Sequence, residues 1–257
     1  MFAAFFSALW RRVRNIFGGS KRIPTSWDEA CSHYNPPYET HKAVLNAREK
    51  GLPWAQAEDD YKDHSKLYPS VEKYRFDDQE YPLNPIGRTN RRGRNLLGRW
   101  GVNPAIDGVV GSWDREKKLF DIVLIKRGDN GAWALPGGML EKEDVYEEAV
   151  REFQEEAASE KPLKEVLALL SRDRACIMKK VHVIDHRETD NAWVETTPVC
   201  FNLTRDEMAS LEKELKSGDD AASVGLYKVD PHKEEPQVER LNVTHWKIIR
   251  NFALQEE

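Results

Sequence analysis

A chain of 257 residues has room for one large domain or for a core of about 150 residues with an N-terminal addition, and shifts in composition along it favour the second. Charged residues make up 32% against 40% hydrophobic, and no apolar run reaches the roughly 18 residues that a membrane-spanning helix needs, so a transmembrane segment is not expected. A formal net charge of −5 argues against a nucleic-acid partner, and Cys31, Cys176 and Cys200 lack zinc-ligand or C-x-x-C spacing, which fits a reducing intracellular compartment.

In the first 27 residues Phe2, Phe6, Leu9, Val13, Ile16 and Phe17 recur near helical spacing, Arg11, Arg12 and Arg14 interrupt them, and no acid precedes Asp28. Three readings of this basic amphipathic helix stand: a mitochondrial transit peptide, a membrane-surface helix, or a helix packed on the folded body. Cytoplasm and mitochondrion are therefore the expected locations. Residues 28–80 are rich in Tyr, Trp, Pro and charge, with a helical piece from Tyr38 to Lys50, and read as a small accessory domain. The string YPLNPIGRTNRRGRNLLGRWGVNPAID, Tyr81 to Asp107, is turn chemistry throughout and marks a junction. Beyond it come a buried strand (Phe120 to Lys126), a helix (Asp144 to Ala157), strands at Met178 to Ile184 and Trp193 to Leu203, a helix (Arg205 to Lys216), a strand (Ser223 to Val229) and a terminal amphipathic helix (Leu241 to Leu254). The division expected is an extension at 1–27, an accessory domain and junction at 28–107, and an α/β core at 108–257.

The segment GAWALPGGMLEKEDVYEEAVREFQEEAAS carries the chemistry. Gly137 is followed after five residues by Glu143, then after seven by Arg151 and Glu152, with Glu155 and Glu156 closing the pattern. At about 100° per residue Glu152, Glu155 and Glu156 share one side of a helix, while Val145, Ala149, Phe153 and Ala157 form an apolar stripe on another. Asp144 with Glu147 resembles a capping box, so the helix begins just after the Gly-Gly loop. Clustered carboxylates repel and raise one another's pKa unless a cation is present. Hard oxygen donors suit Mg²⁺ or Mn²⁺, ions that share coordination with substrate phosphates and activate water. The plain alternative is a solvated acidic helix, but with each fixed residue at about 7% usage the six coincidences arise on the order of once in ten million windows.

This spacing, G-x5-E-x7-R-E-[apolar]-x-E-E, resembles the signature of the Nudix hydrolases, matched by Gly137, Glu143, Arg151, Glu152, Phe153, Glu155 and Glu156, although Ala157, Ala158 and Ser159 depart from its usual tail. The resemblance implies an α/β/α sandwich with a mixed sheet, and metal bound by Glu152, Glu155, Glu156 and the Gly137 carbonyl. It also implies a Glu143–Arg151 pair that braces the loop on the helix. The segments LNPIGRT, NLLGRWG, WALPGGM, TDNAWVET and SGDDA look like the eukaryotic ADP-ribose pyrophosphatase subfamily, which is related to the Nudix-homology domain of melastatin-type channels. By that resemblance the substrate is a small nucleoside diphosphate derivative, ADP-ribose cleaved to AMP and ribose 5-phosphate. A non-catalytic ADP-ribose sensor, or hydrolysis of NADH, a nucleotide sugar or capped RNA, remains as an alternative.

The remaining candidates are weighed one by one. Arg88 and Arg99 are expected phosphate contacts or solvated surface. Asp190, Asn191 and Trp193 open a strand and suit ribose hydroxyls and a base, or a turn with a core tryptophan. For the proton acceptor the candidates, in order, are Glu155, Asp219 and Asp220.

Overall fold

Two long strands, each flanked on both sides, organise the sheet. The computed structural model describes residues 23–218 and 221–257, so most of the expected N-terminal amphipathic helix, and Asp219 and Asp220, lie outside the described residues. In chain order the elements are β1 (Tyr38–Thr40), α1 (Lys42–Glu49), β2 (Arg75–Phe76), β3 (Pro82–Leu83), β4 (Arg92–Asn95), β5 (Gly101–Asp114) and β6 (Leu119–Arg127). They continue with β7 (Trp133–Ala134), β8 (Gly137–Met139), α2 (Val145–Ala157), α3 (Leu163–Leu169), β9 (Cys176–Ile177) and β10 (Val181–Val183). The last are β11 (Ala192–Asn202), α4 (Arg205–Glu212), β12 (Ala221–Val229) and α5 (Val243–Gln255).

The main sheet runs β10-β11-β5-β6-β12, with β7 on β6, β8 on β5 and β9 on β11. β5 and β11 pair in parallel and the other pairs of this sheet are antiparallel, so the sheet is mixed. Strand periodicity divides the core between two faces. Ile106, Val110, Val123 and Ile125 pack with Ala149, Val150 and Phe153 of α2 on one face. Val109, Ile122, Leu124 and Cys200 pack with Trp246, Ile249 and Phe252 of α5 on the other. This is the α/β/α sandwich expected, and it explains why FDIVLIK is apolar almost without interruption: both of its faces are covered.

Helix α2 follows its sequence signals. Asp144 is the N-cap and accepts from the amides of Tyr146 and Glu147. The reciprocal half of the expected capping box is not what Glu147 makes; its carboxylate lies 3.7 Å from Arg172. A complete box appears instead at α4, where the Thr204 side chain and Glu207 bond reciprocally. On the inner face Ala149, Phe153 and Ala157 are fully buried, as the stripe implied.

The stretch read as turns departs from expectation. Arg92–Asn95 forms β4, parallel to β1, and Gly101–Asp107 is the first half of the 14-residue β5, so the junction placed at 107/108 falls inside one strand. Gly, Pro and Asn are poor strand formers, but β11 on one side and β8 on the other supply partners that override local preference. The expected strand at Met178 to Ile184 contracts to Val181–Val183, and the expected helix at Arg205 to Lys216 ends at Glu212.

The N-terminal lobe is braced internally by polar groups removed from water. Arg94, fully buried, donates from Nη1 to the carbonyls of Gln56 and Gly98 and from Nη2 to Glu58 at 2.8 Å, with its guanidinium over Trp100. A buried guanidinium is tolerable only when so paired.

Phe153→Ala is expected to cost about 3–5 kcal/mol of stability, the range for truncating a buried phenylalanine, and to lower the urea midpoint accordingly. An unchanged midpoint would show that α2 is not anchored through this stripe.

Candidate active site

The strand β8 brings the Gly-Gly loop across β5, and α2 runs back beneath it. Glycine is required at Gly137, where a Cβ would stand 2.2 Å from the Ile106 carbonyl oxygen; a Cβ on Gly138 would stand 2.7 Å from the Glu152 carboxylate, the movable end of a side chain. The Gly137 amide donates to Glu156 at 2.8 Å, tying loop to helix. Arg151 donates to Glu155 at 2.8 Å, to Glu148 at 2.9 Å and to Glu152 at 2.6 Å.

Glu143, in the loop before the N-cap, is not among the Arg151 partners, so the expected Glu143–Arg151 brace is not the one formed. Glu148 takes that place because positions three and four apart on a helix lie side by side. Glu148 is buried, and the Arg151 guanidinium holds its carboxyl below the ordinary range. Burial raises Glu152, which Arg151 opposes and Glu155 reinforces. Burial likewise pushes Glu156 up to about 7, against the pull of the Gly137 amide and with a further push from Glu152. Among the described residues no three acidic or histidine side chains converge as a ready-made metal cage. The donor chemistry nevertheless fits a hard divalent cation: Glu152 and Glu156 are carboxylate oxygen donors whose pKa values burial and a neighbouring carboxylate raise, a burden that a cation would relieve.

Glu156, Gly137 and Gly138 form one side of a cavity of about 540 Å³ that extends along the sheet past Asp107, Arg127, Arg187, Thr196 and His245. Arg127 is held by Asp129 and Arg187 by Asp185, each through Nε and one hydrogen of Nη2, which leaves Nη1 of each for the remaining donation. His245 Nδ1 accepts from the Leu135 amide at 3.1 Å, so the neutral ring carries its hydrogen on Nε2, 3.7 Å from Asp107 Oδ1. Thr196 is fully buried, and its Oγ1 has no hydrogen-bond partner.

The residues proposed from sequence for substrate contact lie elsewhere. Arg88 donates to the carbonyls of Pro24, Ser26 and Glu29 and sits over the rings of Trp27 and Tyr34. Asp190, 2% exposed, accepts from the Tyr34 hydroxyl at 2.6 Å and from the Thr89 amide at 2.7 Å. Asn191 accepts from the Gly93 amide and donates to the Pro82 carbonyl. Trp193 is buried with its Nε1 on Glu195, its ring 5.5 Å from Tyr74. The Arg99 amide donates to Asn103, and its side chain does not line the cavity. Arg88, Asp190 and Asn191 satisfy backbone groups where the N-terminal lobe meets the sheet, a demand as strict as any ligand's. Of the cavity residues that sequence reasoning missed, Asp185 and Arg187 carried a signal, a charged D-H-R run before TDNAW; Thr196 and His245 carried none.

Without divalent cations, protonation of Glu156 stabilises the native state fully below its ordinary pKa of 4.5, and this contribution is lost as pH rises through about 7. Glu156→Gln should therefore match the parent near pH 4 and exceed it by on the order of 3 kcal/mol at pH 8. Parallel urea curves in chelator at both pH values would refute this if the difference stayed constant.

Residues 22–101 match the family model described as NUDT9-like, N-terminal domain, and residues 104–251 match the NUDIX domain. The chain is 37% identical over 233 residues to a Caenorhabditis elegans protein named nudix hydrolase 6, covering 83% of this chain and 86% of that one. It is 38% identical over 165 residues to the mitochondrial ADP-ribose pyrophosphatase of Rattus norvegicus, covering 56% of this chain and 47% of the relative. It is 39% identical over 167 residues to a transient receptor potential cation channel subfamily M member-like 2 of Nematostella vectensis, covering 58% of this chain and 11% of the channel. No helix among the described residues is long and apolar enough to cross a membrane. With a Nudix model spanning more than half of its length and the motif residues assembled between β8 and α2, the chain belongs to the Nudix hydrolase family.

Proposed function

We propose that this chain hydrolyses the diphosphate of ADP-ribose to AMP and ribose 5-phosphate. The observation that carries the reading is one cavity lined by the Gly137–Gly138 loop and Glu156 together with two arginines, Arg127 and Arg187. A diphosphate needs cationic donors beside acidic metal ligands, and the cavity brings both arginines together with Glu156, one of the three acids. The rat relative's name supports ADP-ribose as the substrate.

Glu152, Glu155 and Glu156, with the Gly137 carbonyl, would hold Mg²⁺ or Mn²⁺. Such an ion supplies charge neutralisation at the diphosphate and a lowered pKa for water. The Nη1 donors of Arg127 and Arg187 would orient the substrate's phosphate oxygens, each arginine kept in place by its own aspartate. His245 Nε2–H and Asp107 present a donor and an acceptor side by side, a pair suited to a sugar hydroxyl. For the proton acceptor, Glu155 remains a proposal together with Asp219 and Asp220.

Incubating the protein with ADP-ribose and Mg²⁺ should release AMP, and Glu156→Gln should lower kcat by about 100-fold or more. Saturable ADP-ribose binding with no AMP from the unmutated chain would replace this reading with the sensor. Arg187→Ala should raise KM by about 10-fold or more through loss of a charged hydrogen bond; an unchanged kcat/KM would remove Arg187 from the substrate site. The rat relative's mitochondrial name also makes residues 1–27 worth testing as an address: mitochondrial fluorescence of a reporter carrying them supports it, and cytosolic fluorescence alone rejects it.

A further inference from the structure

Cys176 and Cys200, 24 positions apart and unrelated by any motif, are brought face to face by the sheet. β9 pairs antiparallel with β11 in the register Cys176 to Cys200 and Ile177 to Val199. Side chains directly opposite each other in such a pair leave the same face of the sheet. The Met178 amide donates to the Pro198 carbonyl two residues along, so the cysteines occupy a hydrogen-bonded site, with Cα atoms about 5.5 Å apart, within the range that a disulfide spans. Both thiols are free, Cys176 exposed and Cys200 buried.

We infer that Cys176 and Cys200 are a reversible oxidation site that closes to an intramolecular disulfide. The inference does not depend on the hydrolase reading. A peroxide is the oxidant class required. The exposed Cys176 thiolate attacks one peroxide oxygen, breaking the O–O bond, and after proton transfer gives a sulfenic acid and water. Cys200 sulfur then attacks Cys176 sulfur, the S–O bond breaks, and a second water leaves as the S–S bond forms. Two thiols and one hydrogen peroxide thus yield one disulfide and two waters.

Geometry shapes the product. Cβ atoms across a hydrogen-bonded pair stand farther apart than a relaxed disulfide allows, so closure must draw β9 toward β11. β9 is two residues long and follows a single 3-10 turn, Arg172–Arg174, so it is the element that gives way. A bond closed under such strain is readily reduced, which suits a reversible site rather than a permanent staple. The loop it closes, residues 177–199, contains Val183, Asp185, Arg187 and Thr196, so a wall of the candidate active-site cavity would be enclosed by the tether. Cys31, in the N-terminal lobe beside His33, has no counterpart of this kind.

The test treats the full chain carrying Cys31→Ser with hydrogen peroxide, denatures it, alkylates the remaining thiols and maps the peptides without reductant. The expected result is a monomer lighter by about 2 Da, a linked pair of peptides containing Cys176 and Cys200, and loss of that pair with dithiothreitol. The Cys200→Ala variant should instead yield a dimedone adduct at Cys176. Oxidation of Cys176 to the sulfinic acid with Cys200 alkylated, a Cys176-linked dimer, or two thiols that both stay alkylatable would each overturn the inference.

Discussion

The parallel registration of β5 with β11 is the constraint on which the rest depends. Gly101 through Gly111 pair one for one with Ala192 through Asn202, and β8 closes the other side of β5 at Ala105 to Asp107. Parallel neighbours need a crossover, and the chain between β5 and β11 is that crossover: it contains β6, the Gly-Gly loop, α2 and α3. The carboxylates of α2, the Gly137 amide and the loop carrying Arg187 are thus placed by one sheet register. A slip by one residue would turn Asp107 and Thr196 to the opposite face.

Electrostatics within α2 follow from that placement. Packing α2 on the sheet buries Glu148 and partly buries Glu152 and Glu156, and Arg151 is the charge that makes this tolerable. Glu156 makes no ion pair with it, and burial, with Glu152 adding, drives its pKa up to about 7 against the Gly137 amide and Arg127. A helix built for stability would not gather these acids on one side. They are the acids to which the proposed cation would bind.

The N-terminal lobe shows how a motif-like residue can be claimed by structure. Asp190 and Asn191 looked like sugar contacts because they are polar, adjacent and at the head of a strand. They instead saturate the amides of Thr89 and Gly93 and bond to Tyr34 and Pro82. Arg88 is likewise spent on three carbonyls. The lobe therefore abuts the sheet at the head of β11, while the cavity opens nearer β8 and α2.

Local, periodic signals were legible in the sequence alone: the apolar stripe and cap of α2, the doubly buried β6, and a motif whose residues are neighbours on one helix or the loop leading into it. These succeed because short-range geometry fixes which side chains share a face. What only the tertiary structure decided was everything resting on pairing between distant segments. Gly101–Asp107 became strand because partners on both sides outweighed turn propensity, and Arg151 chose Glu148 over Glu143. Arg127, Arg187, Thr196 and His245 met at one cavity, and Cys176 came to face Cys200. Sequence spacing carries no information on such contacts because the register of a sheet, set by the burial of two whole faces, brings together residues that no local rule relates.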